Sequence, residues 1–240
     1  MHSPFLFQFI LHVLNNKSGF QPPAYIEALR KQLLADNSLL QIEDLGAGTR
    51  TQSTKERTVK QLAKSAVKPK KYGQLLYRLT AKYQPRTIIE LGTSLGVTSA
   101  YLATGNPIAN VITIEGSEAI YGVAKNNFHN LGLSNIHPLQ GNFDIVLPEQ
   151  LKNIDKVDLA YIDGNHRLEP TLSYFRQFLE KAHNDTILVF DDIHWSVEME
   201  QAWQQIKEHP SVRCSVDIFF LGFIFFRNEF KEKQHYTIRF

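Results

Sequence analysis

Apolar residues along this chain change their spacing near residue 85. Before that point they recur every three or four positions, the period of an amphipathic helix. Tyr25, Ile26, Leu29 and Leu33 follow the helix-opening pair Pro22 and Pro23. Val59, Leu62, Ala63 and Ala66 run to a stop at Pro69, and Tyr72, Leu75, Leu76, Leu79 and Tyr83 run to Pro85. Beyond it, short apolar runs alternate with helical patterns. The spacing predicts strands near 87–91, 111–115, 135–140, 157–162 and 186–190, with helices over 96–104, 117–130, 168–182 and 196–208. Such alternation makes a parallel sheet covered on both faces. Val212 to Phe219 and Phe223 to Arg227 then form two strands around a Gly-containing turn, which predicts an antiparallel hairpin. The chain thus reads as a helical extension over 1–84, serving as substrate cover or dimer contact, followed by an α/β domain over 85–240.

Two stretches compete as nucleotide loops. In Thr87-Ile-Ile-Glu-Leu-Gly-Thr-Ser-Leu-Gly-Val-Thr-Ser-Ala-Tyr-Leu102 a strand enters a glycine-bearing turn and a helix follows, and Val111-Ile-Thr-Ile-Glu115 closes the unit with a carboxylate. Gly92 lets the backbone turn sharply, and Gly96 opens the helix without a side chain in the way. Glu115 stands where a carboxylate accepts hydrogen bonds from both ribose hydroxyls. The rival, Ile42-Glu-Asp-Leu-Gly-Ala-Gly-Thr49, leads into a polar, basic stretch instead of a helix and a second apolar strand, so Gly46 and Gly48 read as a helix stop and loop.

A hydrophobic content of 43% excludes wholesale disorder, and a net charge of +2 predicts no general attraction to polyanions. The lone Cys214 excludes an internal disulfide, suits a reducing compartment and sits in a strand-like run, where a buried inert thiol is expected. Phe5 to Leu14 has neither a basic leader nor an Ala-x-Ala-like site and is too short to span a bilayer. Its Phe5, Leu6, Phe9, Ile10, Val13 and Leu14 keep helical spacing, giving a docking helix, a membrane-surface helix or a homodimer surface. With no membrane span, the chain reads as cytoplasmic.

Glu90-Leu-Gly-Thr-Ser-Leu-Gly96, Glu115, Tyr161-Ile-Asp-Gly-Asn-His166 and Phe190-Asp-Asp-Ile-His-Trp195 together resemble the class I S-adenosylmethionine-dependent methyltransferases. More narrowly they resemble O-methyltransferases of the catechol type and the metal-dependent sugar O-methyltransferases, over roughly residues 72–227. The resemblance implies a doubly wound, seven-stranded, mostly parallel Rossmann-like sheet ending in an antiparallel hairpin, here behind an N-terminal helical extension. It implies that Glu90, Gly92, Ser94, Gly96 and Thr98 surround the methionine end of S-adenosyl-L-methionine. Glu115 then holds the ribose, with Gly116 and Ser117 beside the adenine and Asn142 and Phe143 lining it. Relatives often carry an acid directly after the glycine where this chain has Gly141-Asn-Phe-Asp144. Asp163 is carried over as a cofactor, metal and catalytic position.

Asp163 ends the fourth predicted strand, and Asp191 and Asp192 end the fifth. Ligands of such sheets bind outside the carboxyl ends of the strands, and neighbouring strands lie about 4.8 Å apart, so these carboxylates can converge. Crowded carboxylates take up a proton or a cation, and Mg²⁺ or another divalent ion held by oxygens would resolve the repulsion. The bland alternative is that Asp163 and Asp192 cap helices. His166, three residues after Asp163, is the expected general base, His194 the second choice. Trp195 walls the acceptor pocket or packs in the following helix.

Between Arg50 and Lys71 eight basic residues meet one acid, Glu56. The segment reads as the solvated face of an amphipathic helix carrying Val59, Leu62 and Ala66. An RNA methyltransferase would use it as a patch, but no aromatic residues interleave the charges, so a nucleic-acid partner is not expected. The expected activity is methyl transfer to a hydroxyl of a small molecule, assisted by a divalent metal. A non-catalytic binding protein and a metal-dependent oxygenase on the same fold are the rivals, and an NAD-dependent oxidoreductase fits the glycine spacing least.

Overall fold

The apolar runs beyond residue 85 are buried along their length. Ile88, Ile89 and Leu91, Val111, Ile112 and Ile114, and every residue of Leu159–Ile162 and Ile187–Asp191 lie in the interior. Strands covered on both faces have no solvent side to alternate with, and their sequences are continuous for that reason. The structure, a computed structural model, describes residues 3–16, 21–43 and 54–240. Gly46 and Gly48 lie outside the described residues, as do Arg50 to Ser53 of the basic segment.

The amino-terminal part comprises α1 (Pro4–Phe9), α2 (Ala24–Ala35), β1 (Leu39–Glu43), β2 (Thr54–Thr58), α3 (Val59–Ala66) and α4 (Lys70–Tyr83). Then follow β3 (Thr87–Leu91), α5 (Val97–Gly105), β4 (Asn110–Glu115), α6 (Glu118–Asn130), β5 (Ile136–Gln140) and α7 (Phe143–Lys152). The chain ends with β6 (Leu159–Ile162), α8 (Leu168–Leu179), β7 (Ile187–Asp191), α9 (Val197–Glu208), β8 (Cys214–Asp217), β9 (Leu221–Phe225) and β10 (Gln234–Thr237). The large sheet has the order β10-β8-β9-β7-β6-β3-β4-β5. Pairs β3/β6, β6/β7, β4/β5 and β8/β10 are parallel, and β9 runs antiparallel to both β7 and β8. This is the expected doubly wound sheet with its closing hairpin, plus an eighth strand.

Three further elements escaped the hydrophobic pattern. The hairpin β1/β2 pairs Leu39 with Thr58 through Glu43 with Thr54, but β2 reads Thr-Lys-Glu-Arg-Thr and carries no apolar residue. The edge strand β10 alternates between half-buried and exposed positions. Helix α7 contains Pro148, a residue that ordinarily argues against a helix interior. The face of α3 also shifts: Val59, Leu62 and Ala63 are buried, while Ala66 ends the helix exposed.

The chain packs as two compact units, residues 1–86 with 92–146, and 87–91 with 147–240. In the first, Phe5, Leu6, Phe9, Val13 and Leu14 are buried, the helix continuing as a π turn over Ile10–Leu14. The buried guanidinium of Arg78 on α4 donates from Nε to the Val13 carbonyl at 2.7 Å. Helix α4 lies directly on α5: a Cβ at Gly105 would stand 1.8 Å from Thr80 Oγ1 and 2.7 Å from the Tyr77 carbonyl. In the second unit, Gly222 of β9 admits the Trp203 indole, which a Cβ would meet at 2.6 Å. Among the described residues no helix is long and apolar enough to cross a membrane.

Candidate active site

The first unit builds a cradle from the Gly92–Gly96 loop and the carboxyl end of β4. Gly92, Ser94 and Gly96 all take positive φ, at 98°, 49° and 83°, so the chain doubles back before α5 begins. The loop is laced to β4: Gly92 and Thr93 N–H donate to the Ile114 carbonyl at 3.0 and 3.2 Å, and the Thr93 and Thr113 hydroxyls meet at 2.6 Å. Gly96 needs its bare Cα for a second reason, since a Cβ would stand 2.5 Å from the Phe128 ring. Thr98 lies half-buried in the first turn of α5.

Two backbone N–H groups orient Glu115. Its Oε2 accepts the Ser94 N–H at 2.8 Å and its Oε1 the Ser117 N–H at 3.0 Å. A carboxylate has about four lone-pair sites, so each oxygen keeps capacity for a ligand hydroxyl. Ser117 Oγ is buried and makes no hydrogen bond. An orphaned buried hydroxyl beside an oriented carboxylate fits an adenosine-bearing cofactor that supplies the missing partner. Gly116 is tied down through its carbonyl, which accepts from Gln140 Nε2 at 3.0 Å. Asn142 Oδ1 accepts the Asp144 N–H at 2.8 Å, starting α7. Phe143, the first residue of α7, is half-buried.

The second unit holds the carboxylates. Tyr161 on β6 is fully buried, and its hydroxyl donates to Asp191 Oδ2 at 2.8 Å, with Asp163 Oδ2 at 3.5 Å. Glu90, also fully buried, is its register partner on β3. Burial, followed by the negative charges of Asp191, Asp163 and Glu90, holds the Tyr161 hydroxyl protonated well above its ordinary range. Glu90, assigned above to the cofactor, thus takes part in a buried acidic group around this tyrosine. The second oxygen of Asp191 accepts the Asp192 N–H at 2.8 Å.

The expected metal triad is not assembled. Among the described residues no three His, Cys, Asp or Glu side chains form a cation site. Both Asp191 oxygens already accept hydrogen bonds, one from Tyr161 and one from backbone, and Asp192 adopts a left-handed conformation at φ 52°.

His166 lies beside Asp163, with Nε2 3.3 Å from Asp163 Oδ1 and both side chains partly exposed. His194, the second choice as base, is committed at both nitrogens, to Asp217 Oδ2 at 2.8 Å and Glu200 Oε1 at 3.3 Å. It stacks on Phe219, ring centroids 5.6 Å apart. Trp195 does not pack in the following helix; it is 74% exposed in the turn before α9. Phe219, 62% exposed, occupies φ 76°, a strained position for an aromatic residue, held by its own N–H donating to Asp217 Oδ1 at 2.8 Å. Neither Tyr161 nor Phe219 was singled out from sequence. For Tyr161 a signal existed, a polar-tipped residue two positions before Asp163, hence on the same face of the strand.

Residues 89–193 match a family model described as a methyltransferase domain. That match spans the Gly92–Gly96 loop, Glu115 and the strand-end aspartates Asp163, Asp191 and Asp192. Several solved structures share the fold. The methyltransferase PaMTH1 of Podospora anserina, solved bound to S-adenosylhomocysteine, is 13% identical with a TM-score of 0.67, covering 95% of this chain and 98% of that one. An O-methyltransferase from Bacillus cereus, in complex with the same molecule, is 17% identical with a TM-score of 0.61, covering 90% and 96%. The O-methyltransferase TomG of Streptomyces achromogenes, in complex with S-adenosylmethionine, is 17% identical with a TM-score of 0.54, covering 65% and 80%.

Proposed function

We propose that this protein transfers a methyl group to a hydroxyl of a small molecule. The observation that carries the reading is the His166–Asp163 pair, a partly exposed imidazole held by a carboxylate at the end of β6. The O-methyltransferases that share the fold support the choice of a hydroxyl acceptor. In this reading Glu115, Ser94, Ser117 and the Gly92–Gly96 loop hold S-adenosylmethionine, which when bound supplies an electrophilic methyl group. His166 accepts the proton of the acceptor hydroxyl, and Asp163 orients the ring and stabilises the imidazolium that results. Tyr161 and Asp191 keep Asp163 in place from beneath. Trp195 and Phe219 offer flat apolar surface to the acceptor.

None of these residue roles requires a metal. The test is a screen of hydroxylated acceptors with radiolabelled S-adenosylmethionine, with and without a chelator. Turnover that resists chelation and falls on the order of 10²–10⁴-fold in His166→Gln, at unchanged cofactor affinity, is expected for a lost general base. Chelator-sensitive turnover restored by Mg²⁺ would mean the carboxylates regroup around a cation and would overturn the base assignment.

A further inference from the structure

The first unit contains a cavity of about 630 Å³ that shares no residue with the glycine loop, Glu115, Ser117 or Asn142. It opens between α2 and α6, which present residues to it at helical spacing, and that size falls within the range of small-molecule sites. Leu29 and Leu33 of α2, Val59 of α3 and Val123 of α6 give it an apolar floor. Gln32 on one wall and Asn126 and Asn130 on the other supply exposed carboxamides.

The charge of the lining restricts the ligand. Among the described residues no Lys or Arg lines the cavity, so none of them neutralises an anion there. The carboxylate among them, Asp36, accepts the Ser38 N–H at 2.8 Å. Carboxamides in the lining beside aliphatic side chains suit an uncharged flat ring whose edge carries both donors and acceptors. An Asn or Gln side chain matches the donor–acceptor edge of a nucleobase with two hydrogen bonds.

Gly122 adds a separate argument. It lies inside α6 and lines the cavity, and a Cβ built there would meet no heavy atom within 4 Å. Glycine weakens a helix interior by about 0.8–1.0 kcal/mol relative to alanine. Two other helical glycines of this unit answer to a close neighbour, Gly73 to Tyr101 and Gly105 to Thr80. At Gly122 the protein offers no such neighbour; what the missing side chain leaves clear is the cavity itself.

We propose that this cavity is a second binding site, separate from the cofactor cradle, for an uncharged nucleobase-bearing molecule of nucleoside size. The experiment uses the full chain saturated with S-adenosylhomocysteine, so that the cradle is filled, and titrates guanosine, cytidine, uridine and adenosine by calorimetry. Gly122→Leu fills the cavity while favouring the helix, so this variant is expected to melt no lower than the wild type. At least one nucleoside should bind the saturated protein and lose tenfold or more in affinity in Gly122→Leu, a change of about 1.4 kcal/mol. Affinity for S-adenosylhomocysteine should stay unchanged in that variant. Absence of binding by all four at millimolar concentration, or binding that survives Gly122→Leu, would overturn the proposal. Failure of S-adenosylhomocysteine itself to bind would count against the methyltransferase reading and would leave the nucleoside titration to be read on the free protein by the same two criteria.

Discussion

Replacing Glu115 with glutamine tests the cofactor cradle at its tightest point. The carboxylate receives one backbone N–H on each oxygen, from Ser94 at 2.8 Å and Ser117 at 3.0 Å. A carboxamide is nearly isosteric but has only one acceptor oxygen. Its NH₂ must face one of those two N–H groups, or turn away and leave it unpaired. A part-buried donor without an acceptor costs about 1–3 kcal/mol, and the same NH₂ cannot accept a ribose hydroxyl. Losing one hydrogen bond to a charged acceptor weakens binding by about 1.5–3 kcal/mol, which corresponds to about 10- to 150-fold in Kd. Calorimetric titration of S-adenosylhomocysteine into wild type and Glu115→Gln reads this directly, and thermal melting establishes that both are folded. A folded variant that binds as tightly as the wild type would refute the assignment of Glu115 to the ribose. Equal loss in Glu115→Gln and Glu115→Ala would show that the damage lies in the Gly92–Gly96 loop, because only the alanine variant also removes the remaining acceptor.

Two further outcomes follow from the buried groups of the second unit. Tyr161→Phe removes the hydroxyl that donates to buried Asp191, and should lower stability by about 1–3 kcal/mol in urea denaturation; a midpoint equal to wild type would refute that role. Burial pushes the Cys214 thiol up to about 12, so it stays protonated wherever pH lies below that value and thiolate appears only above it. At about pH 8 a disulfide reagent should therefore leave the folded chain unmodified and label one thiol per chain in denaturant, whereas rapid labelling of folded protein would contradict the burial.

How much was legible in advance varies with burial. The strands β3, β4, β6 and β7 were visible because parallel strands covered on both faces must be apolar throughout. The strands β2 and β10 were not, because neither shows an unbroken apolar run. The Gly92–Gly96 loop and Glu115 were found from spacing, since turn geometry demands glycine and a strand-end carboxylate is local information. The acidic positions Asp163, Asp191 and Asp192 were found too, but not their disposition. A hydrogen bond from Tyr161 to Asp191 spans 30 residues of sequence, and only the adjacency of β6 and β7 brings the two together.

The same division holds for the chain as a whole. Sequence alone determined the alternation of strands and helices, the sites of the tight turns and the residue types at the strand tips, because each depends on neighbours a few positions away. Tertiary structure decided how each histidine is engaged. His166 and His194 are equivalent as letters, each a few residues beyond a strand-end aspartate, yet Asp217 and Glu200 occupy both nitrogens of one and a single carboxylate holds the other. It also decided that Asp191 accepts a tyrosine hydroxyl and a backbone amide, and that α2 and α6 enclose a cavity. These depend on distances between segments far apart in the chain, which packing sets and local pattern does not encode.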